Sequence, residues 1–330
     1  MSAVPDLDRF IQAHGDWTAM SIRLPDGRYT RAPAVDHRLR RLVQVAADVI
    51  GKPLRDCRVL DLACLEGHYA IEFALHGADV VGIEGRQVSV DKCNYVRDAY
   101  DLDRLRFVCD DVRNLSAQKY GIFDIVICSG LLYHLPARDA WGLVRAMHEC
   151  CSGITLIDTF VSLHGTEEVD LEGMTALGHT YGEHDVDEAA ETKAAKLWAS
   201  IDNVSSFWFT EPSLINLLAR AGFTSTMAVL APTMPGMLVD RRTYVTVKGR
   251  RSEIKSSELT DRQAHVPAEE GENRRMDDSQ HTHGRLHLAA RQVLPQPVKD
   301  AIKPLLRWAG VLPQDTTPEF MSRKGGGRSR

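Results

Sequence analysis

Four short clusters carry side chains fit for binding and proton transfer, and each closes an apolar run: Asp61-Leu62-Ala63-Cys64-Leu65-Glu66-Gly67, Glu84-Gly85, Cys109-Asp110-Asp111-Val112, and Ser129-Gly130-Leu131-Leu132-Tyr133-His134. Glu84 lies 23 residues after Asp61, a spacing that puts a carboxylate where it accepts both hydrogen bonds of a ribose diol. An aspartate followed by a backbone amide matches the exocyclic amine and ring nitrogen of adenine. Asp110 and Asp111 compete for that role, and Asp111 is favoured because it precedes apolar Val112. Asp61 either orients its turn through amides or holds a ligand ammonium through water. One adenosine-shaped ligand accounts for all four ends, Ser129 included. His134 is the foremost catalytic candidate, since an imidazole takes a proton from a hydroxyl or amine near neutral pH. A histidine that caps the next helix beside Pro136 is the competing reading, and Tyr133 is either a catalytic partner or a pocket wall.

The elements that must position these residues alternate. Strands are expected over 58–62, 79–83, 105–109, 123–129, 153–160, 226–230 and 243–247, with helices over 69–76, 88–100, 138–150 and 211–221. Short apolar runs separated by helical periodicity indicate an α/β, doubly wound, Rossmann-like and mostly parallel sheet, whose ligands bind outside the carboxyl ends of the strands. Residues 1–54 form an N-terminal helical cap, with a turn at 24–27 and a helix near 35–50. Residues 55–250 form the main domain, interrupted at 161–206 by a polar, His-rich lid insertion over the carboxyl edge.

At 330 residues and 44% hydrophobic content the chain can bury a large core, and its net charge of −5 asks for neither nucleic acid nor an anionic membrane. Seven cysteines without metal-ligand spacing, and no apparent signal peptide, point to a cytoplasmic protein. Residues 251–280 are expected to be a disordered linker, because charge-mixed sequence with few large apolar residues cannot offset chain entropy by burial. Residues 281–330 carry nine basic and three acidic side chains and read as a basic amphipathic helix and tail. Such a helix suits a peripheral contact at the inner membrane face or a protein partner, or packs on its own domain.

In order and spacing, "VLDLACLEGHYAIEFA", "VVGIEGR", "FVCDDVRNL" and "FDIVICSGLLYHL" resemble the four motifs of the class I S-adenosylmethionine-dependent methyltransferases. The resemblance covers roughly residues 55–250. It implies a seven-stranded sheet with its last strand antiparallel, S-adenosyl-L-methionine as cofactor, and cofactor contacts at Asp61, Ala63, Cys64, Gly67, Glu84, Gly85, Asp110, Asp111, Val112 and Ser129. The first motif departs from the usual acid-x-Gly-x-Gly-x-Gly. A sulfonium cofactor brings no phosphate to cradle, which relaxes the need for glycine. Ala63 still lets backbone approach, Gly67 permits the turn, and Leu65-Glu66 are expected to wall the methionine end.

Above the transfer point the insertion and its sequel offer His179, Tyr181, Glu183, Asn203 and Trp208. This mixture of polar and aromatic groups suits a hydroxylated small-molecule or glycan acceptor, methylated on oxygen. A metal held by His179, Glu183, His184 and Asp185 is weighed and set aside, because the segment lacks the scaffold of an established metal motif. "SFWFTEPSLINLLARAGF" and "GDWTAMSIRLPDGRYT" are more loosely similar to relatives of the tRNA wobble-uridine carboxymethyltransferase. An RNA acceptor is therefore an alternative, disfavoured by the acidic domain. A methyltransferase-like scaffold without catalysis is the other.

Overall fold

The computed structural model describes residues 6–232 and 238–256. The tail expected over 281–330, with its membrane or protein partner, and all of the expected linker except 251–256 lie outside the described residues. Among the described residues no helix is long and apolar enough to cross a membrane.

The N-terminal segment supplies α1 (Leu7–His14) and α2 (His37–Val49), each begun by an aspartate, Asp6 or Asp36, whose side chain accepts the first free helical amides. There follow β1 (Arg58–Leu62), α3 (His68–Leu75), β2 (Asp79–Glu84), α4 (Gln87–Ala99), β3 (Leu105–Cys109), α5 (Ala117–Tyr120), β4 (Phe123–Ser129), α6 (Ala137–Cys150) and β5 (Cys151–Phe160). The chain then forms β6 (Glu167–Asp170), β7 (Thr175–Gly182), α7 (Ala190–Ala195), β8 (Ser205–Phe209), α8 (Glu211–Ala221), β9 (Ser225–Ala228) and β10 (Arg241–Val247).

The main sheet has seven strands in the order β3-β2-β1-β4-β5-β10-β9. β1 to β5 pair in parallel, and β10 runs antiparallel to both β5 and β9. The order reverses beside β1, so the carboxyl ends of β1 and β4 flank the crevice where such sheets bind ligands. One face of the sheet packs α2, α3 and α4 through Leu42, Phe73 and Val96, and the other packs α6 and α8 through Trp141, Val144 and Leu217. The central strands are apolar on both sides, as a sheet covered on both faces requires.

The N-terminal segment is less a detachable cap than part of this core. Trp17, Ile22 and Leu24 are buried with Tyr69 and Tyr95. The insertion differs more from expectation. It contains a separate antiparallel sheet, β6-β7-β8, that continues to Phe209, three residues past its expected end. Gly178 in β7 admits the close approach of β8, since a Cβ there would stand 2.3 Å from the Trp208 carbonyl oxygen. β8 lies against the turn after β4, where the Phe207 amide donates to the Leu135 carbonyl at 2.9 Å.

Candidate active site

The turn after β1 holds two non-glycine residues in the left-handed region, Ala63 and Leu65, each with φ 51°, before Gly67 at φ 81°. Left-handed backbone costs roughly 1–2 kcal/mol at each such L-residue, and local hydrogen bonds offset it. Cys64 N–H donates to Ile83 O at 3.0 Å, Leu65 N–H to Glu84 Oε2 at 3.0 Å, and Gly67 N–H to Cys64 O at 2.8 Å. Gly67 begins α3 without a capping side chain, and Asp61 serves in its place by accepting the Ala70 amide at 3.1 Å. Burial, against the Ala70 hydrogen bond, pushes the Asp61 carboxyl up to about 8. Of the two roles open to Asp61, the geometry displays the orientation of the turn and helix.

Two expectations at this turn are corrected. Cys64 was expected to line the ligand, but its thiol is buried and hydrogen-bonded with that of Cys93 inside the core. Glu66 does not wall a methionine end. Its carboxylate points inward and accepts the amides of Thr18, Ala19 and Met20 at 2.7–3.0 Å and Lys92 Nζ at 3.4 Å. No motif in the sequence marks this clasp of the N-terminal segment, because its partners lie 46 to 48 residues away.

At the end of β2, Glu84 is 3% exposed and its carboxylate accepts backbone amides: Leu65 on Oε2, Arg86 on Oε1 at 2.9 Å, and Gly85. Burial raises its pKa. A buried carboxylate acceptor at this strand end fits the hydroxyl donors of an adenosine ribose. Gly85 beside it admits the close approach of the insertion, since a Cβ there would stand 2.3 Å from Ile201 Cδ1. Arg86, which the sequence reading passed over, sends its guanidinium to the carbonyls of Ala194, Lys196 and Ala199 at 2.9–3.1 Å.

After β3 the two aspartates are engaged by close neighbours. Asp111 accepts from the Arg113 amide at 2.8 Å and bidentately from its guanidinium, and Arg113 also binds Asp202 at 2.5 Å. Asp110 accepts from Asn114 Nδ2 at 2.9 Å, from Lys119 Nζ at 2.5 Å and from the Tyr120 hydroxyl. Burial works against ionisation of Asp110, but these three donors outweigh it and lower its pKa. The preference for Asp111 over Asp110 finds no geometric support, because both carboxylates are occupied by this chain's own donors. Val112 is buried in the core.

The end of β4 assembles the chemistry. Ser129 is hydrogen-bonded with the Tyr69 hydroxyl. A 3-10 turn, Leu132–His134, then carries Tyr133 and His134. His134 Nδ1 lies 3.0 and 3.2 Å from the two oxygens of Glu183, whose side chain is 1% exposed. Burial opposes ionisation of Glu183, yet His134, the Ser200 amide at 3.0 Å and the Ser206 hydroxyl at 2.7 Å hold its carboxyl below the usual range. Asn203 Nδ2 donates to the His134 carbonyl at 3.1 Å and the Ser205 carbonyl at 2.8 Å. Glu183 and Asn203, expected to meet the acceptor, are therefore turned onto His134. The reading of His134 as a cap or packing residue omitted a partner that lies 49 residues away.

The other expected acceptor residues form one aromatic surface. Trp208 stacks on Phe160 at 4.8 Å and on Tyr181 at 5.0 Å, with His179 at 5.4 Å and Tyr133 at 5.8 Å. Arg241 of β10 lies over the Phe160 and Tyr133 rings, donates to the Tyr133 hydroxyl at 3.2 Å and pairs with fully buried Asp158 at 2.6 Å. His179 bonds Ser162 at 2.8 Å, and His184 bonds the Ser200 carbonyl at 2.8 Å, so the histidines weighed for a metal face separate partners.

Residues 59–152, which span β1 to the start of β5, match a family model described as a methyltransferase domain. The ubiquinone biosynthesis O-methyltransferase of Chromobacterium violaceum is 33% identical over 102 residues, which cover 30% of this chain and 40% of that relative's length. The N-terminal domain of EvdMO1, solved in the presence of SAH and D-fucose, aligns with a TM-score of 0.58 at 20% identity over 76% of this chain and 98% of that one. The same domain with SAH bound aligns with a TM-score of 0.57 at 20% identity, over 76% and 100% of the two chains. Likeness at this identity speaks for the fold. Taken with the family match over residues 59–152, it bears out the resemblance of the four strand-end motifs to those of the class I S-adenosylmethionine-dependent methyltransferases.

Proposed function

We propose that this protein transfers a methyl group from S-adenosylmethionine to a hydroxyl of a small-molecule or glycan acceptor. The observation that carries the acceptor chemistry is the His134–Glu183 pair at the carboxyl end of β4. Glu183 accepts the Nδ1 proton, which leaves Nε2 bare as a base and stabilises the imidazolium once a proton arrives. A neutral hydroxyl needs such a base, because its oxygen attacks well only as its proton departs.

When bound, the cofactor supplies an electrophilic methyl group on a sulfonium. Glu84 would hold the ribose diol, and the turn 63–67 would border the cofactor's amino-acid end. His134 Nε2 takes the acceptor's hydroxyl proton as the new O–C bond forms and the S–CH3 bond breaks. Tyr133, Phe160, Tyr181 and Trp208 offer faces against which the C–H surface of a sugar or an aromatic ring packs, and His179 lies at their edge. The sugar named with EvdMO1 and the O-methylation in the name of the Chromobacterium relative are consistent with this acceptor class.

Methyl-labelled cofactor, offered with hexoses, deoxyhexoses, catechols and amines, tests the proposal. Label is expected on oxygen of a hydroxylated acceptor, with kcat lowered about 10²–10⁴-fold by His134→Gln while SAH binding is unchanged. Transfer confined to amines, or an unaltered rate in the variant, would refute the hydroxyl assignment.

A further inference from the structure

We infer that Arg86 is a positioning residue that couples cofactor binding to the His134–Glu183 pair through residues 194–203 of the insertion. The inference rests on the methyltransferase reading above and adds a partner to its site.

Arg86 stands two residues beyond Glu84, with its side chain 11% exposed. Its fork is spent on the insertion: Nε donates to Ala194 O, and Nη2 to Lys196 O and Ala199 O. Nη1 lies 3.9 Å from Glu84, beyond hydrogen-bond reach, so neutralising that carboxylate is not its principal contact. Three carbonyls converging on one guanidinium exploit the planar fork of arginine, which lysine lacks.

The strip that Arg86 holds touches both halves of the site. Toward the cofactor end, Ile201 covers Gly85, and Asp202 binds Arg113, itself paired with Asp111. Toward the acceptor end, the Ser200 amide donates to Glu183 and Asn203 donates to the His134 carbonyl. Ser200 and Asn203 directly flank Ile201 and Asp202 in the chain, so the strip cannot leave one end without loosening the other. Glu84 is 3% exposed and Ile201 of the strip lies against Gly85 beside it, so a ribose approaching Glu84 from that side displaces the strip. Lifting withdraws the Ser200 and Asn203 hydrogen bonds from the pair. The closed strip is the arrangement in which the base is held, and cofactor entry has to loosen it for as long as the strip is lifted.

The test compares wild type with Arg86→Lys, which keeps the charge beside Glu84 and loses the fork. Three quantities are read: SAH affinity by calorimetry, amide hydrogen exchange across 196–203 with and without SAH, and the 15N shifts of the His134 ring in the SAH complex. In wild type, SAH should slow exchange across 196–203 at least ~10-fold, and His134 should hold the Nδ1–H tautomer. In Arg86→Lys, affinity should fall ~10-fold, protection should be lost, and the ring should revert to a mixture of tautomers although residue 86 does not touch it. A variant that matches wild type in all three overturns the coupling and leaves the methyltransferase reading intact. Failure of well-folded wild type to bind SAH removes that reading, and the coupling with it.

Discussion

The two ends of the cleft are built differently. At the cofactor end the strand-end carboxylates have partners close by in the chain, Asp111 with Arg113, Asp110 with Asn114, and Glu84 with the Arg86 amide, two to four residues apart, while the Arg86 and Arg113 guanidiniums reach on to the insertion. At the acceptor end His134 reaches 49 residues to Glu183, and Arg241 reaches 83 and 108 residues to Asp158 and Tyr133. A strand-turn-helix unit brings its own polar contacts wherever it folds. The acceptor end exists only when the insertion, β5 and β10 have all come together.

The largest expected effect that separates the two is on stability. Asp158→Ala strands Arg241 next to the core, and breaking a buried pair in this way should cost about 3–5 kcal/mol. A shift of the urea midpoint at unchanged slope would register it. Catalysis comes next: Glu183→Gln should lower kcat by at least about 10-fold with SAH affinity unchanged, and a parallel loss of SAH binding would erase the distinction between the ends.

The ends should also respond to pH with opposite sign. The Glu183 carboxyl is held below its usual range, so its contribution is present above the unfolded-state pKa and is lost as pH falls through the folded value. Asp61, pushed up to about 8, keeps its proton in the folded state when the unfolded chain has lost it. Stability therefore declines as pH rises from the unfolded-state value of about 4 toward 8, by no more than about 1.4 kcal/mol per pH unit for one proton. Thermal scans of Asp61→Asn across that window should be flatter than those of wild type, and Glu183→Gln should flatten only the acid limb. The smallest effect is expected at the half-exposed local pair, where Asp111→Ala should cost less than about 1 kcal/mol; a loss comparable to that of Asp158→Ala would contradict the contrast.

This difference also explains what could be read from the residues alone. β1 to β5, Glu84 and the turn at Gly67 follow from apolar runs and spacing within about thirty residues, which is the range over which periodicity operates. His134 could be singled out by its place after β4. Its partner could not, because nothing local ties Glu183 to it, and Glu183 read as an acceptor contact. The sheet β6-β7-β8 was obscured by the polar, His-rich composition of the insertion, and Glu66 and Arg86 by partners remote in sequence. Cys64 looked like part of the ligand turn because backbone handedness, which turns its thiol inward, is not written in residue type.

The most direct test of the account is calorimetric titration of the protein with SAH, in wild type and in Glu84→Gln, which keeps the shape of the side chain and removes its charge. Saturable binding in wild type, weakened about 10- to 100-fold in the variant as expected for loss of charge-assisted hydrogen bonds, is the predicted result. Equal affinity in the two proteins would contradict the assignment of Glu84 to the ribose, and absence of binding in folded wild type would contradict the cofactor site itself.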